Sequence, residues 1–313
     1  MSIITTDSLE IFKTNRYYLT DIGMVSDNAY LSIVATNNCQ KVCPYCINSE
    51  TDRRLNIRVD RAVANIRTLV DGYHVKEAII LGGEPLLHRR ILELVRRLRN
   101  ETGLEILRLT TNGIALKDGF DYLRDLFDPD NGIQGINISC HNGKDFMSYD
   151  ELRQVCDNIR TANPKIKIRI NTNIWRGNLD DFSELLEHIR IVSKFADEIR
   201  ISNIIPKDSF SVNDVNDGLD LILSDDEYEN IFKCLVRYYF TDYTIIRNDL
   251  TLGFVRYLLI PTPVPIIINW NIGSKVAEQV CENDIKNRKI NTFKCLVDGS
   301  ISLSWNKNNV IIP

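Results

Sequence analysis

The amino-acid sequence predicts an α/β fold, a partial (βα)6 TIM-like barrel followed by a small α+β C-terminal cap. Three observations support this prediction: β-like runs alternate with helical patterns between residues 29 and 206, six such units are present, and the pattern changes after Pro206. Strands that alternate with helices pair in parallel through right-handed crossovers. Because six units are fewer than the eight of a closed TIM barrel, we expect an open, partial barrel.

The individual elements follow from hydrophobic periodicity and turn residues. In the first predicted helix, Val63, Ile66 and Val70 share one face, and we expect the helix to stop at Gly72. Each predicted strand is a short apolar or alternating run. The predicted strands span 30–36, 77–83, 104–113, 135–143, 165–175 and 197–206, and the predicted helices span 59–72, 89–103 and 181–195.

The chain is expected to have three parts: an N-terminal extension (1–28), the partial barrel (29–206) and the cap (207–313). Within the cap, Ser224 and Glu227 form a capping box that opens a helix over 225–240. Prolines in 254–271 favour edge or irregular extended structure, and 292–306 predicts two short strands around an Asp298-Gly299 turn.

Composition limits the classes of function. The 313 residues are 44% apolar and 26% charged, which is typical of a globular enzyme, and the net charge of −4 gives no support for a broad nucleic-acid surface. The start of the chain lacks the pattern of a signal peptide, and prolines interrupt the longest apolar run, so no membrane partner is expected. We therefore expect a cytoplasmic protein, in which clustered cysteines bind metal or catalyse rather than form disulfides.

Three of the eight cysteines lie within eight residues: Cys39, Cys43 and Cys46, with the spacing C-x3-C-x2-C. They follow the first predicted strand, at the carboxyl edge where active sites of parallel α/β folds form. Three thiolates can hold three irons of a 4Fe–4S cluster and leave the fourth iron open. The alternative is a zinc site that a distant residue completes.

This spacing, with Tyr45 before the third cysteine, resembles the radical S-adenosylmethionine (radical SAM) superfamily. Gly82-Gly83-Glu84-Pro85 matches the family's GGEP motif after the second strand, and 109–113, 136–143 and 168–174 fall where the third to fifth strands end. The resemblance covers about residues 29–206. It implies a 4Fe–4S cluster on the three cysteines, S-adenosylmethionine (SAM) on its open iron, and an electron donor such as flavodoxin or ferredoxin. Reductive cleavage of SAM then gives a 5′-deoxyadenosyl radical that abstracts hydrogen from a substrate.

The resemblance also suggests residues for SAM binding. Gly82 and Gly83 let the backbone approach the methionyl ammonium closely, Glu84 accepts a hydrogen bond from it, and Pro85 fixes the turn. Tyr45 packs near the adenine or shields the cluster from water.

Polar residues at the ends of the later strands extend this prediction. Asn112, Asn137 and Ser139 reach the ribose or the methionyl carboxylate, or are turn formers. In the fifth strand, Arg169 lies on a polar face that points into the barrel. It binds the methionyl carboxylate or a substrate anion, or pairs with an internal Glu or Asp. Ser202 has the same inward parity in the sixth strand.

Within the superfamily, the chain resembles the branch of the molybdenum-cofactor GTP cyclase and the peptide-modifying SPASM/Twitch enzymes. Cys281 and Cys295 have the spacing of two of the cyclase's three auxiliary cysteines, but Glu278 stands where the first would be. This predicts a Twitch-like cap that lacks a complete auxiliary cluster, and a peptide or small-metabolite substrate. The alternatives are a cyclase-like or viperin-like enzyme acting on a nucleotide, and a non-catalytic zinc or iron–sulfur module.

Overall fold

A computed structural model describes residues 16–43, 45–46, 52–204, 221–239, 242–249, 254–260, 262, 264–271, 289–305 and 309–313. The chain forms two compact units. The first unit comprises Asn15–Ser139, Phe146–Ile166 and Asn283–Pro313, and the second contains Cys140–Asp145 and Lys167–Glu282 together with Met1–Thr14.

Strands and helices alternate along most of the described chain. In chain order they are β1 (Tyr17–Leu19), β2 (Met24–Thr36), α1 (Val59–Tyr73), β3 (Glu77–Gly82), α2 (Ile91–Glu101), β4 (Ile106–Thr111), α3 (Ile114–Leu123), β5 (Gly135–Ser139), α4 (Tyr149–Ala162), β6 (Lys167–Ile174), α5 (Phe182–Val192), β7 (Glu198–Asn203), α6 (Asp225–Tyr238), β8 (Asp242–Asp249), β9 (Phe254–Ile260), β10 (Ile266–Asn271), β11 (Lys289–Cys295), β12 (Ile301–Ser302) and β13 (Val310–Ile312).

In the first unit, β2, β3, β4 and β5 pair in parallel in sequence order, as expected of βα units. On its other side β2 pairs in parallel with β11, which continues antiparallel into β12 and β13. The apolar stripe of α2 is buried, as are Val63 and Ile66 of α1, whereas Val70 is half-buried. Alternate residues of β2, β3 and β4 such as Ile33, Ile80 and Leu109 are also buried. Parallel order brings the carboxyl ends of β2 to β5 to one edge, where the segment that carries Cys39, Cys43 and Cys46 begins.

In the second unit, β6 pairs in parallel with β7, and β7 with β10. Strands β10, β9 and β8 are then antiparallel neighbours. The prediction of edge or irregular structure over 254–271 was therefore wrong, because β10 lies between β7 and β9. All three prolines of this stretch precede Ile266 and follow Ile260, so none removes a hydrogen bond from either strand.

The other predicted elements agree with the structure, with shifted ends. Strands β2 to β7 confirm the six predicted strands. Helix α1 continues one residue past Gly72 to Tyr73, and the residue that caps its C-terminus, His74, takes the left-handed conformation with φ of 55°. The capping box of Ser224 and Glu227 is present, and β11 and β12 are antiparallel around the predicted turn. Helices α3 and α4 fill the two positions for which no helix was individually predicted.

The C-terminal third contributes strands to both units rather than to one compact unit of its own. Residues 283–313 group with the first unit, and the preceding residues from Lys167 group with the second. The predicted boundary at 206/207 lies outside the described residues and stays a prediction. None of the described helices has the length and apolar character needed to cross a membrane.

Candidate active site

The three cysteines lie in a loop that is closed at its base. Thr36 and Asn56 form an isolated antiparallel bridge, the Asn37 amide donates to the Leu55 carbonyl at 3.0 Å, and the Ile57 amide donates to the Ala35 carbonyl at 2.8 Å. Residues 37–55 are therefore one closed loop at the carboxyl end of β2, which we call the cysteine loop.

Within this loop, Cys39, Cys43 and Cys46 are half-buried and are not joined in disulfides. The Cys46 amide donates to the Cys43 carbonyl at 3.1 Å, and the Lys41 amide donates to the Cys39 sulfur at 3.5 Å. Burial raises the pKa of the Cys39 thiol, so loading a metal there releases a proton.

The number of thiols matches a 4Fe–4S cluster that has one open iron, because each thiolate binds a different iron and three thiolates leave the fourth iron open. The cysteine loop, which carries three thiols, therefore suits such a cluster.

The GGEP turn packs directly on the first residues of the cysteine loop. The Gly83 amide donates to the Thr36 carbonyl and the Glu84 amide to the Asn38 carbonyl, both at 2.7 Å. A Cβ at Gly82 would lie 2.2 Å from the Thr36 oxygen, and one at Gly83 would lie 2.4 Å from the Asn38 oxygen. The two glycines are therefore required for this contact between two backbone segments, a reason that the sequence analysis did not give.

The Glu84 side chain joins the GGEP turn to the end of β4. Its carboxylate is 1% exposed and accepts hydrogen bonds from the Leu86 amide (3.1 Å), the Thr111 hydroxyl (2.6 Å) and the Asn112 amide (2.7 Å). Burial raises its pKa to about 7, against the lowering effect of these donors. Pro85 follows as the first residue of a short 3-10 turn, where its missing amide hydrogen costs nothing.

Asn112 fixes the cysteine loop from the same side. Its Oδ1 accepts from Gln40 Nε2 at 3.3 Å and from the Ile114 amide at 3.1 Å. Arg53 Nη1 donates to the Cys39 carbonyl at 3.4 Å. Gln40 and Arg53 were not predicted as site residues, because no motif marks them and only their position inside the cysteine loop could have suggested a role.

The remaining predicted residues of this unit lie at the end of β5 and in the cysteine loop. Asn137 is 1% exposed, and its Nδ2 donates to the Thr110 hydroxyl at 3.0 Å, while its Oδ1 has no hydrogen-bond partner among the described residues. Ser139 and Tyr45 are half-buried. A buried amide oxygen without a donor is an acceptor available to a ligand.

Arg169 and Ser202 belong to the second unit. Both are buried, and Arg169 forms an ion pair with Glu198 across the β6–β7 ladder. Arg169 therefore pairs with an internal carboxylate, as one of the two predictions for it stated. Its binding of the methionyl carboxylate stays a prediction. Thr172, on the opposite face of β6, contacts His188 of α5, which confirms the predicted division of β6 into a polar and a helix-facing side.

Two buried histidines form hydrogen bonds within the second unit. Thr172 donates its hydroxyl hydrogen to the Cys140 carbonyl at 3.0 Å, so His188 Nε2, at 2.8 Å, is the donor to the Thr172 oxygen. His141 Nδ1 accepts from the Asn173 amide at 3.0 Å. Burial lowers the pKa of His141 to about 3 and of His188 to about 4, so both rings are neutral near pH 7.

The two cysteines considered for an auxiliary cluster give no ligand set in the described residues. Cys295 is fully buried on β11, and burial raises its pKa. It has the same strand parity as Phe293, which contacts Tyr73 of α1, so its side chain faces the helices. Cys281 lies outside the described residues.

Comparisons with known proteins identify the family. The model of the radical SAM superfamily matches residues 33–190, which is 158 of the 313 residues. Among curated relatives, the GTP 3',8-cyclase of Limosilactobacillus fermentum is 30% identical over 191 residues, covering 56% of this chain and 54% of the relative. GTP 3',8-cyclase 2 of Pseudomonas aeruginosa is 29% identical over 209 residues, covering 63% of this chain and 60% of the relative. The chain thus spans little more than half the length of these relatives.

Two solved structures share the fold. Streptococcus suis SuiB bound to its precursor peptide SuiA has a TM-score of 0.59 at 13% identity, covering 91% of this chain and 62% of SuiB. A radical SAM methyltransferase from Sphaerobacter thermophilus has a TM-score of 0.53 at 12% identity, covering 83% of this chain and 70% of the other. These likenesses confirm the predicted fold class, a partial barrel with parallel strands β2 to β7. The chain belongs to the radical SAM superfamily, whose enzymes use a 4Fe–4S cluster and SAM.

Proposed function

We propose that this enzyme cleaves SAM reductively at a 4Fe–4S cluster held by Cys39, Cys43 and Cys46, and abstracts hydrogen from a peptide or a small metabolite. The observation that carries the proposal is the closed cysteine loop braced by the GGEP turn, through the 2.7 Å hydrogen bonds of the Gly83 and Glu84 amides. When bound, the cluster and SAM supply the electron and the 5′-deoxyadenosyl radical.

The chain's own residues hold and orient these groups in the proposal. Glu84 is a positioning residue, because its three internal donors fix the GGEP turn relative to the end of β4. Gly82 and Gly83 keep the turn on the loop, and Tyr45 shields the cluster from water. Asn137 offers its buried Oδ1 to a SAM hydroxyl or ammonium, and Asn112 and Ser139 line the same strand ends.

A peptide or small-metabolite substrate is proposed over a nucleotide. GTP cyclisation is what the curated relatives are named for, but the chain covers little more than half of each of them. The cyclase pattern also needs a third auxiliary cysteine where this chain has Glu278. The nucleotide alternative predicts tight, phosphate-dependent binding of GTP, and a peptide substrate does not.

The proposal includes a low-potential electron donor of the flavodoxin or ferredoxin type. It also places the protein in a reducing cytoplasm, since a cluster with one open iron is easily oxidised.

The test uses anaerobically reconstituted protein, in which iron and sulfide are counted before dithionite and SAM are added. We expect about four irons per chain and formation of 5′-deoxyadenosine, with both lost in Cys43→Ala. Cys234→Ala, at a half-buried free cysteine of α6, is the control and keeps both. Zinc in place of iron, with no 5′-deoxyadenosine, would contradict the proposal.

A further inference from the structure

We propose that part of the cysteine loop forms the docking surface for an acidic one-electron carrier protein. This surface, the loop surface, consists of the exposed Val42, Arg54 and Leu55 and the half-buried Lys41 and Arg53. The inference rests on the proposed function, in which an electron must reach the cluster from outside the protein, and it adds where the carrier docks and through which residues.

The first observation is charge. Within the cysteine loop (37–55) the sequence has three basic residues (41, 53 and 54) and two acidic ones (50 and 52), a net charge of +1. The whole chain has a net charge of −4, so the rest of it amounts to −5. A locally basic surface on an acidic protein attracts and orients an acidic partner.

The second observation is exposed apolar area in the same loop. Val42 is 74% exposed and Leu55 is 45% exposed, and they are two of the seven large apolar side chains exposed in the described part of the chain. Arg54 beside Leu55 has a side chain that is 90% exposed. Apolar contacts surrounded by charges are typical of small, transient interfaces such as those of electron-transfer proteins.

The third observation is the direct link from this surface to the cluster ligands. Val42 is the residue before Cys43. Arg53 donates to the Cys39 carbonyl at 3.4 Å, and the backbone of Leu55 is bonded to Asn37 at 3.0 Å. A carrier seated on these side chains would therefore lie against the loop that holds the cluster, which favours electron transfer because its rate falls steeply with distance.

Reduced flavodoxin is the probe, and 5′-deoxyadenosine formation and direct binding are the two readouts. In Arg54→Glu we expect the flavodoxin concentration for half-maximal rate to rise about tenfold at low salt, and the difference to shrink in high salt. The dithionite-driven rate stays at the wild-type level, because a small reductant needs no docking surface. Val42→Asp is expected to act in the same direction through the apolar part.

The matched control is Arg67→Glu on α1. Like Arg54, Arg67 is an exposed arginine paired with an aspartate, Asp71 in its case, but it lies outside the cysteine loop. Wild-type flavodoxin dependence in Arg54→Glu, or an equal shift in Arg67→Glu, would overturn the docking surface.

The two proposals fail in different ways. If wild-type protein forms no 5′-deoxyadenosine with dithionite, the proposed function fails, and flavodoxin binding measured by calorimetry still tests the surface. Loss of that binding in Arg54→Glu but not in Arg67→Glu supports it, and equal binding in all three proteins refutes it. A fall in the dithionite-driven rate of Arg54→Glu would instead show that Arg54 supports the site's structure.

Discussion

Both units bury polar side chains on their strands, but they use them differently. In the first unit, Glu84 and Asn112 bond to the ends of other segments and hold the cysteine loop in place, while the buried Asn137 Oδ1 has no donor. In the second unit, Arg169 pairs with Glu198 and His188 is hydrogen-bonded to Thr172, although the buried Asn171 Oδ1 on β6, like that of Asn137, has no hydrogen-bond donor among the described residues.

The difference teaches that a polar residue near the end of a parallel strand is a weak indicator of a site by itself. What separates the two cases is where the hydrogen bonds go. Side chains whose hydrogen bonds connect the cysteine loop to a neighbouring turn hold that loop in place for a cofactor. Side chains that hydrogen-bond to one another stabilise the core. The predictions below test this contrast, from the largest expected effect to the smallest.

The largest effect is expected in the second unit, at the buried ion pair. Arg169→Met leaves Glu198 as an uncompensated buried carboxylate, and should lower the free energy of unfolding by about 3–5 kcal/mol. Urea denaturation of the protein measures this loss. The double variant Arg169→Met/Glu198→Leu should recover most of it, because no buried charge remains. If the double variant is as unstable as the single one, the loss of stability does not come from an uncompensated charge on Glu198.

The next effect is expected in the first unit, at the GGEP turn. A Cβ at Gly83 would lie 2.4 Å from the Asn38 oxygen, so Gly83→Ala must move the turn away from the cysteine loop. We expect a destabilisation of about 3 kcal/mol and a loss of iron on reconstitution. The control is Gly72→Ala in α1, where no atom lies within 4 Å of the added Cβ; it should gain about 0.5–1 kcal/mol. Full iron loading of Gly83→Ala would show that the contact is not needed.

The fold was predictable because it depends on patterns that recur along the chain. Alternation of apolar strands and amphipathic helices gave β2 to β7, and the polar face of β6 was assigned from side-chain parity alone. The position of β10 between β7 and β9 was not predictable, because proline content alone does not show that all three prolines lie between two strands rather than within one.

The candidate site was predictable in its ligands but not in its supports. Three cysteines and a GGEP motif mark themselves by spacing and order in the sequence. Two partners of Glu84, Thr111 and Asn112, lie 27 and 28 residues away and depend on how distant segments meet at the sheet edge. The fate of Arg169 likewise depended on its neighbour in the β6–β7 register, which periodicity does not fix.

A third, smaller effect concerns pH and the neutral histidines of the second unit. The folded-state pKa of His188 is about 4, whereas an unfolded histidine titrates near ~6.5. Between these values only the unfolded state binds the proton, so stability falls as pH falls, by about 1.4 kcal/mol per pH unit.

His188→Gln keeps a side-chain N–H donor for Thr172 and removes the titration. Between pH 7 and pH 5 the variant should lose about 2 kcal/mol less unfolding free energy than the wild type. His141 remains in both proteins and leaves a residual pH dependence. The same decline in both proteins would mean that His188 is accessible to protons in the folded state.

The smallest effect on stability, and the most direct test of the contrast, is expected at Asn137. Asn137→Val removes a buried acceptor that has no donor, which offsets the loss of the bond to Thr110, so apoprotein stability should change by less than about 1 kcal/mol. If the Asn137 Oδ1 accepts a hydrogen bond from SAM, the Kd of SAM for the reconstituted variant should be about tenfold higher than for the wild type. Equilibrium dialysis measures this Kd. Thr110→Val is the control, because it removes only the hydroxyl that accepts from Asn137 Nδ2, and should leave the Kd within about twofold. Equal weakening in the two variants would mean that the orientation of the Asn137 amide matters rather than its free oxygen. An unchanged Kd in Asn137→Val would place Asn137 with the structural polar groups of the second unit.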